Sequence, residues 1–277
     1  IKPNLLIIIG SIIFVFFTLT IGTSSLKFSQ EIVFLGSFSI ILFLLFKLSN
    51  ELDLNSKKML IGTAIIIFVF RAMPGVGQGG SWFEIDILEF DQEFLSLLGL
   101  IASSLTIIGI FVLRPLMEKA SMTKLIVILS ITGSLFILPS IAMFYGFHNY
   151  TSILTNGLVD ARFIAVFNTA IESPLGQVSM IPILAWIAQS APSHLKATFF
   201  AVLASFTNLA LSASNLGTKY LNEFFTITRE VKNEIGEIKT QADYSDLGTI
   251  LIIVTLLTLI VPIVTTYIIK KMKLISY

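Results

Sequence analysis

The chain has 277 residues, of which 55% are hydrophobic and only 13% are charged, and its net charge is +1. Soluble domains carry about 25% charged residues, so these values disfavour soluble enzymes, disordered chains and secreted scaffolds, and they provide no basic surface for nucleic acid. The chain has no cysteine, which excludes disulfides, thiolate metal sites and a cysteine nucleophile. The composition predicts an integral membrane protein.

Long apolar stretches recur along the chain and define its predicted membrane spans. About 20 helical residues are needed to cross roughly 30 Å of hydrocarbon. We identify eight such segments, at 4–23, 32–46, 59–72, 94–113, 125–145, 163–186, 197–217 and 247–269. Because they are continuously apolar, whereas the strands of a membrane barrel alternate, the sequence predicts an all-α polytopic bundle of about eight transmembrane helices.

The positions of lysine and arginine predict which side of the membrane each loop occupies. With the C-terminus in the cytoplasm, eleven of the 18 basic residues fall in cytoplasmic segments and five on the opposite side. Four of those five lie in the long loop 218–246. We therefore expect both termini in the cytoplasm. We expect the protein itself in the inner (plasma) membrane of a bacterium.

Two charged residues, Arg71 and Glu172, lie deep inside predicted spans. Arg71 follows Lys58 at the cytoplasmic interface by 13 residues, roughly 19 Å of helix. Glu172 follows Asp160 at the external interface by 12 residues, roughly 18 Å of helix. A charge at the bilayer centre costs roughly 2.5–3.5 kcal/mol, so each needs a partner or a water-filled cavity. A structural ion pair and a pair of residues facing a translocation pathway both meet this need.

The span that carries Glu172 is also polar and interrupted by two prolines, Pro174 and Pro182. Each proline removes a helix hydrogen bond and frees a carbonyl group. Asn168 and Glu172 share one helical face, and Gln177 lies between the two prolines. A polar face in lipid is unfavourable unless it lines water or substrate. A helix-packing seam is one interpretation; we favour a gating helix that lines a cavity and contacts solute or a coupling ion.

The third span ends in a segment rich in proline and glycine, residues 71–80, which is followed by acidic residues. It lacks the lysine and hydroxyl residues of a phosphate-binding loop. Pro74 and Gly77 therefore predict a flexible helix end with a gating role. The carboxylates between residues 84 and 93 are expected to form a solvated external rim, since their spacing without histidine is weak evidence for a metal site.

The seventh span carries a second polar stripe, in which Asn208 is the candidate solute-binding residue. The stripe consists of Ser205, Asn208, Ser212 and Asn215. The two histidines lie in opposite loops, and the sequence contains neither a Ser–His–Asp hydrolase signature nor an ATP-binding motif. The sequence thus predicts no enzyme, no cofactor and no metal site.

Several stretches resemble a known family. Residues 70–77 read Phe-Arg-Ala-Met-Pro-Gly-Val-Gly, and residues 82–91 read Trp-Phe-Glu-Ile-Asp-Ile-Leu-Glu-Phe-Asp. Further on, Met-Ile-Pro-Ile-Leu-Ala-Trp-Ile-Ala at 180–188 precedes Ala-Pro at 191–192, Leu-Lys-Ala-Thr-Phe-Phe-Ala at 195–201 and Ser-Phe-Thr-Asn at 205–208. Over roughly residues 59–222 this pattern resembles the folate–biopterin transporter family of the major facilitator superfamily. Lys196 stands where that family has a glutamate.

The resemblance implies twelve helices in two halves of six. The eight predicted spans would then be helices five to twelve of a truncated chain. Residues 1–50 would form the last two helices of the N-terminal half, 51–58 a short cytoplasmic connection, and 59–277 the C-terminal six-helix bundle. Arg71 and Glu172 would lie on symmetry-related cavity helices.

The function implied by the resemblance is that of a secondary active transporter working by alternating access. It would move a small organic solute, with an anionic folate or pterin as one candidate. Arg71 would attract an anionic group, and Glu172 would be its counter-charge or a proton carrier, so proton symport and uncoupled transport both stay open. The alternative is a non-transporting membrane assembly or pigment-delivery protein. We expect a monomer in the lipid bilayer, whose partner is its small-molecule solute.

Overall fold

The computed structural model of the protein describes residues 5–115, 121–175, 181–185, 196–233 and 235–275. These residues form mainly helices, and one short hairpin lies between the last two long ones. The elements are α1 (Leu5–Gly22), α2 (Ser29–Ser49), α3 (Leu54–Arg71), α4 (Gln78–Asp86), α5 (Gln92–Val112), α6 (Met122–Phe144), α7 (Phe147–Leu154), α8 (Ala161–Glu172), a 3₁₀ turn (Ser173–Leu175), α9 (Lys196–Phe224), β1 (Val231–Lys232), β2 (Ile238–Thr240) and α10 (Leu247–Lys271). Residues 181–185 are also helical.

The chain divides into two compact units. Unit 1 consists of Ile1–Met73, Ile183–Leu216 and Val264–Tyr277. Unit 2 consists of Pro74–Pro182 and Gly217–Ile263. The division of the chain into two transporter halves around residues 51–58 remains a prediction.

Aspartate side chains set the start of three helices. Asp53 accepts hydrogen bonds from the backbone N–H groups of Asn55 and Ser56 at the start of α3, both at 3.1 Å. Asp91 at the start of α5 and Asp160 at the start of α8 each accept one backbone bond of 2.8 Å. The first turn of a helix has N–H groups without intrahelical acceptors, and these carboxylates satisfy them.

Each unit has its own apolar core. In unit 1, the rings of Phe68 and Phe206 lie 5.0 Å apart, beside buried Ile41 and Ala64. In unit 2, two clusters hold the helices together. The first consists of Phe90, Phe94, Met143, Ala161 and Ala165, and the second of Phe83, Tyr244, Leu247 and Leu251.

The outer surface of the helices is apolar, as a bilayer requires. On α5, Leu100 is 65% exposed and Phe111 is 74% exposed. Large apolar side chains so exposed on one long helix need hydrocarbon around them, because soluble proteins rarely expose a continuous apolar surface of this extent. The structure therefore confirms the predicted all-α membrane fold class.

Five described helices are long and apolar enough to cross a membrane: α2, α5, α6, α9 and α10. The apolar part of α1, Ile8–Gly22, is shorter. The predicted spans at 59–72 and 163–186 fall on α3 and on α8, which ends at Glu172. The count of eight spans therefore remains a prediction. The predicted end of the seventh span at residue 217 is too early, because α9 continues to Phe224.

The predicted orientation can be tested with topology reporters. A reporter fused after residue 277 should be cytoplasmic, and one inserted near Gly236, in the turn between β1 and β2, should be external. The physical reason is the excess of lysine and arginine in the segments assigned to the cytoplasm. Alkaline phosphatase and green fluorescent protein fusions report opposite sides, so each position controls the other. Both positions on one side would contradict the orientation.

Candidate functional site

A polar cavity of about 480 Å³ lies within unit 1. Three helices line it: α1, α2 and α9. Its polar lining residues are Thr18, Gln30, Ser37, Ser205, Asn208, Ser212 and Asn215. The predicted polar stripe of the seventh span thus faces this cavity. Thr18, Gln30 and Ser37 were not singled out from the sequence, because their neighbours three and four residues away within α1 and α2 are apolar.

The chemistry of this cavity is set by amides and aromatic rings. Gln30, Asn208 and Asn215 each carry an amide group, which donates and accepts hydrogen bonds at once. Phe14 and Phe34 supply ring surfaces for stacking. The lining residues carry no formal charge, and the volume lies in the range of small-molecule pockets, roughly 300–1,000 Å³. Such a site suits a planar heterocycle whose edges alternate between donors and acceptors.

The two charges predicted to lie within the membrane, Arg71 and Glu172, belong to different units. Arg71 is the last residue of α3 in unit 1 and is half-buried. Glu172 is the last residue of α8 in unit 2 and is exposed. Asn168 approaches Glu172, with its Nδ2 donating to Oε2 at 3.5 Å, the outer limit of a hydrogen bond. The pairing of Arg71 with Glu172 remains a prediction, and Gln177 lies outside the described residues.

The break between α3 and α4 follows the predicted proline- and glycine-rich segment. In unit 2, the N–H of Gly75 donates to Thr218 Oγ1 at 2.8 Å, and Asn222 Nδ2 donates to the carbonyl of Val76 at 3.2 Å. Gly77 has φ of +83°, and a Cβ there would lie 2.7 Å from Asn222 Nδ2. Backbone groups freed by a broken helix need partners in a membrane, and α9 supplies them.

Pro74 lies in the same break and contacts α9 as well. A Cβ at Gly217 would lie 3.3 Å from the Pro74 Cβ, so the absence of a side chain at residue 217 allows the two segments to approach closely. In unit 1, Ser214 Oγ donates to the carbonyl of Met73 at 2.6 Å. The predicted gating residues Pro74 and Gly77 thus sit in a backbone corner held by side chains.

A second break ends α8. Thr106 Oγ1 of α5 donates to the carbonyl of Ser173 at 3.0 Å, where the chain changes to a 3₁₀ turn. Pro174 follows, and its backbone lies directly against Gly109 of α5. Pro182, the other predicted gating proline of this span, is buried in the helical residues 181–185.

Asp86 holds the hairpin of β1 and β2 against the end of α4. Arg229 binds it with two hydrogen bonds, from Nε at 2.8 Å and from Nη2 at 2.7 Å, and the Tyr244 hydroxyl donates a third at 2.6 Å. The Arg229 guanidinium lowers the pKa of Asp86, while burial and the bond to Asp86 raise the pKa of Tyr244 to about 12. From the sequence alone this carboxylate is expected in a solvated rim, because its basic partner lies 143 residues away along the chain.

A second rim carboxylate is also paired. Asp91 accepts a bond of 2.7 Å from Arg162 Nη2, with both side chains about half exposed. Within the described residues, no group of three or more histidine, aspartate or glutamate side chains is arranged to hold a metal ion.

Comparison with known proteins identifies the family. The BT1 family profile matches residues 6–276. The chain belongs to the BT1 family. This membership confirms the resemblance to the folate–biopterin transporter family and agrees with the helical membrane fold.

A relative of this BT1 family chain is known from Synechocystis sp. (strain ATCC 27184 / PCC 6803 / Kazusa), where it is named folate-biopterin transporter. The two are 23% identical over 204 residues, which is 74% of this chain and 38% of the relative. The chain therefore matches well under half of the relative's length. No solved structure matches the chain.

Proposed function

We propose that this BT1 family chain is part of a secondary transporter that moves a small organic solute across a membrane by alternating access. The observation that carries the proposal is the polar cavity of about 480 Å³ among α1, α2 and α9. Polar side chains at membrane depth are costly unless they meet water, one another or a ligand. A cavity lined by three amides provides such a ligand site.

The proposed solute is a flat heterocycle such as the pterin group of a folate or biopterin. Its ring edge carries adjacent donors and acceptors, which match the amides of Gln30, Asn208 and Asn215. The printed name of the Synechocystis relative supports this class. Arg71 is proposed to attract an anionic group of the solute, and Glu172 to act as its counter-charge or as a proton carrier.

Replacing Asn208 by leucine should weaken solute uptake. Leucine has a similar volume but neither donates nor accepts hydrogen bonds. The solute would therefore lose one hydrogen bond, and the solute atom that made it would be left without a partner. A loss of about 1–2 kcal/mol corresponds to a roughly 5- to 30-fold weaker apparent affinity. The measurement is uptake of labelled folate and of labelled biopterin by the full-length protein in proteoliposomes.

The matched control is Asn55→Leu, because Asn55 is an exposed amide outside the cavity. It should leave uptake unchanged, and melting temperatures of both variants should stay close to that of the parent protein. Normal uptake by Asn208→Leu would remove the cavity from the pathway. Absence of uptake by the unaltered full-length protein, with either solute, would instead favour the non-transporting assembly protein.

A further inference from the structure

A second, smaller cavity lies within unit 2. Its volume is about 230 Å³, and α4, α6, α10 and the break at residues 76–77 line it. The polar residues among those that line it are Ser81, Glu84 and Ser140, and two glycines, Gly77 and Gly80, line it as well. Glu84 is thus the one ionisable residue among the residues that line the cavity, and the others are neutral polar residues, glycines and apolar residues.

Among the side chains that the structure describes, none neutralises the carboxylate of Glu84. It is half-buried, and among the described residues it makes no hydrogen bond or ion pair. The residues that α6 and α10 contribute to the cavity are Ser140, Met143, Leu247 and Leu251, none of which titrates. Asp86, two residues further along α4, is bound to Arg229 and Tyr244, so these groups are engaged elsewhere.

Partial burial beside apolar walls is unfavourable for a carboxylate charge, and a bound cation or a proton offsets that cost. Hard cations prefer oxygen ligands, and carboxylate, hydroxyl and carbonyl oxygens are the types found around this cavity. One carboxylate balances one positive charge, which favours a monovalent ion over a divalent one.

We propose that the cavity at Glu84 binds a small monovalent cation, H⁺ or Na⁺, and that this is the coupling cation of the transporter, which leaves Glu172 the role of counter-charge. The coupling role rests on the proposed function, whereas the binding does not. Val76 and Gly77 line the cavity and also belong to the break between α3 and α4. Cation binding at Glu84 therefore acts directly on the backbone corner assigned a gating role.

The test is the melting temperature of the purified full-length protein as Na⁺ replaces choline at constant ionic strength, and separately as the pH is varied without Na⁺. If Na⁺ is the ion, the melting temperature should rise by about 2 °C for each tenfold increase above its Kd. If a proton is the ion, acidification should stabilise the protein without Na⁺. Glu84→Gln should abolish whichever response is seen.

Two further variants make the result specific. Glu93→Gln removes an exposed carboxylate outside the cavity and should keep the response. Glu84→Asp keeps the charge and should retain a weakened response, which guards against misfolding of the glutamine variant.

The proposal is overturned if the melting temperature of the unaltered protein responds to neither cation. It is also overturned if Glu84→Gln responds like the unaltered protein, or if Glu172→Gln removes the response and Glu84→Gln does not. Uptake measurements separate this proposal from the proposed function. Uptake that persists in Glu84→Gln without its cation dependence supports coupling at this residue. Uptake by Glu84→Gln that keeps its cation dependence contradicts coupling at this residue but does not contradict the proposed transport function. Cation binding without any uptake by the parent protein contradicts the transport proposal alone.

Discussion

Gly109→Ala is expected to destabilise the protein by about 1–3 kcal/mol. A Cβ at residue 109 would lie 2.5 Å from the Cα and 2.8 Å from the carbonyl carbon of Pro174, and it would also meet the Pro174 oxygen. These are backbone atoms, which cannot rotate away as a side chain can. The added methyl group would push the 3₁₀ turn off α5 and stretch the bond from Thr106 to Ser173.

Gly99→Ala on the same helix is the matched control. A Cβ at residue 99 would meet nothing within 4 Å, and alanine is the better helix former by roughly 0.5–1 kcal/mol. This variant should be neutral or slightly stabilised. Thermal unfolding of both variants in detergent would decide the matter, and equal melting temperatures would show that α5 and the turn at Pro174 are not in close contact.

Asp86→Asn is expected to release the hairpin of β1 and β2 from the end of α4. The substitution removes the charge that holds two bonds from Arg229 and one from Tyr244. Since Arg229 is partly exposed, solvent screens part of the attraction. Backbone amides at residues 228–243 should exchange with deuterium roughly tenfold faster in this variant. Hydrogen-exchange mass spectrometry at neutral pH measures this directly.

The effect should depend on pH in a defined direction. Arg229 lowers the pKa of Asp86 in the folded protein. The Asp86 carboxylate therefore contributes to stability above its unfolded pKa of about 3.9, and this contribution is lost as the pH falls through the folded pKa. Tyr244 has a pKa raised to about 12, so its contribution is present below about 10 and is lost as the pH rises towards 12. The difference in melting temperature between the parent and Asp86→Asn should therefore shrink in acid.

Glu230→Gln provides the comparison in the same loop. Glu230 pairs with Lys232 at 3.0 Å, but both side chains are well exposed, and such pairs contribute little to stability. Unchanged hairpin exchange is expected for this variant. An equal effect of both substitutions would mean that loss of a negative charge, rather than the contact at Asp86, loosens the hairpin.

The membrane class and the two helix breaks were predictable from the sequence because their causes are local. Pro74 and Gly77 interrupt one helix, and Pro174 ends another, by removing a donor or freeing the backbone. The polar stripe that includes Asn208 was also visible, since residues three or four apart share one face of a helix. Its exposure to a cavity follows the rule that polar groups avoid lipid.

The partners of these local features were not predictable, because they come from distant parts of the chain. Thr218 lies 143 residues from the Gly75 N–H that it accepts, and the same separation divides Arg229 from Asp86. For the same reason the end of α9 was placed too early. Thr218 and Asn222 are polar enough to suggest a loop, yet they extend the helix while bonding to the backbone of another segment.

The bonds between α9 and the corner at residues 74–77 also determine how mechanical force travels through unit 2. Two hydrogen bonds and the close contact at Gly77 fasten the corner to the helical residues 217–224. If this end of α9 rotates, residues 74–77 and α4 are therefore expected to move with it. At the far end of α4, Asp86 is tethered to the hairpin that leads into α10. A displacement of residues 217–224 is therefore expected to reach the hairpin through the contacts at residues 75–77 and at Asp86.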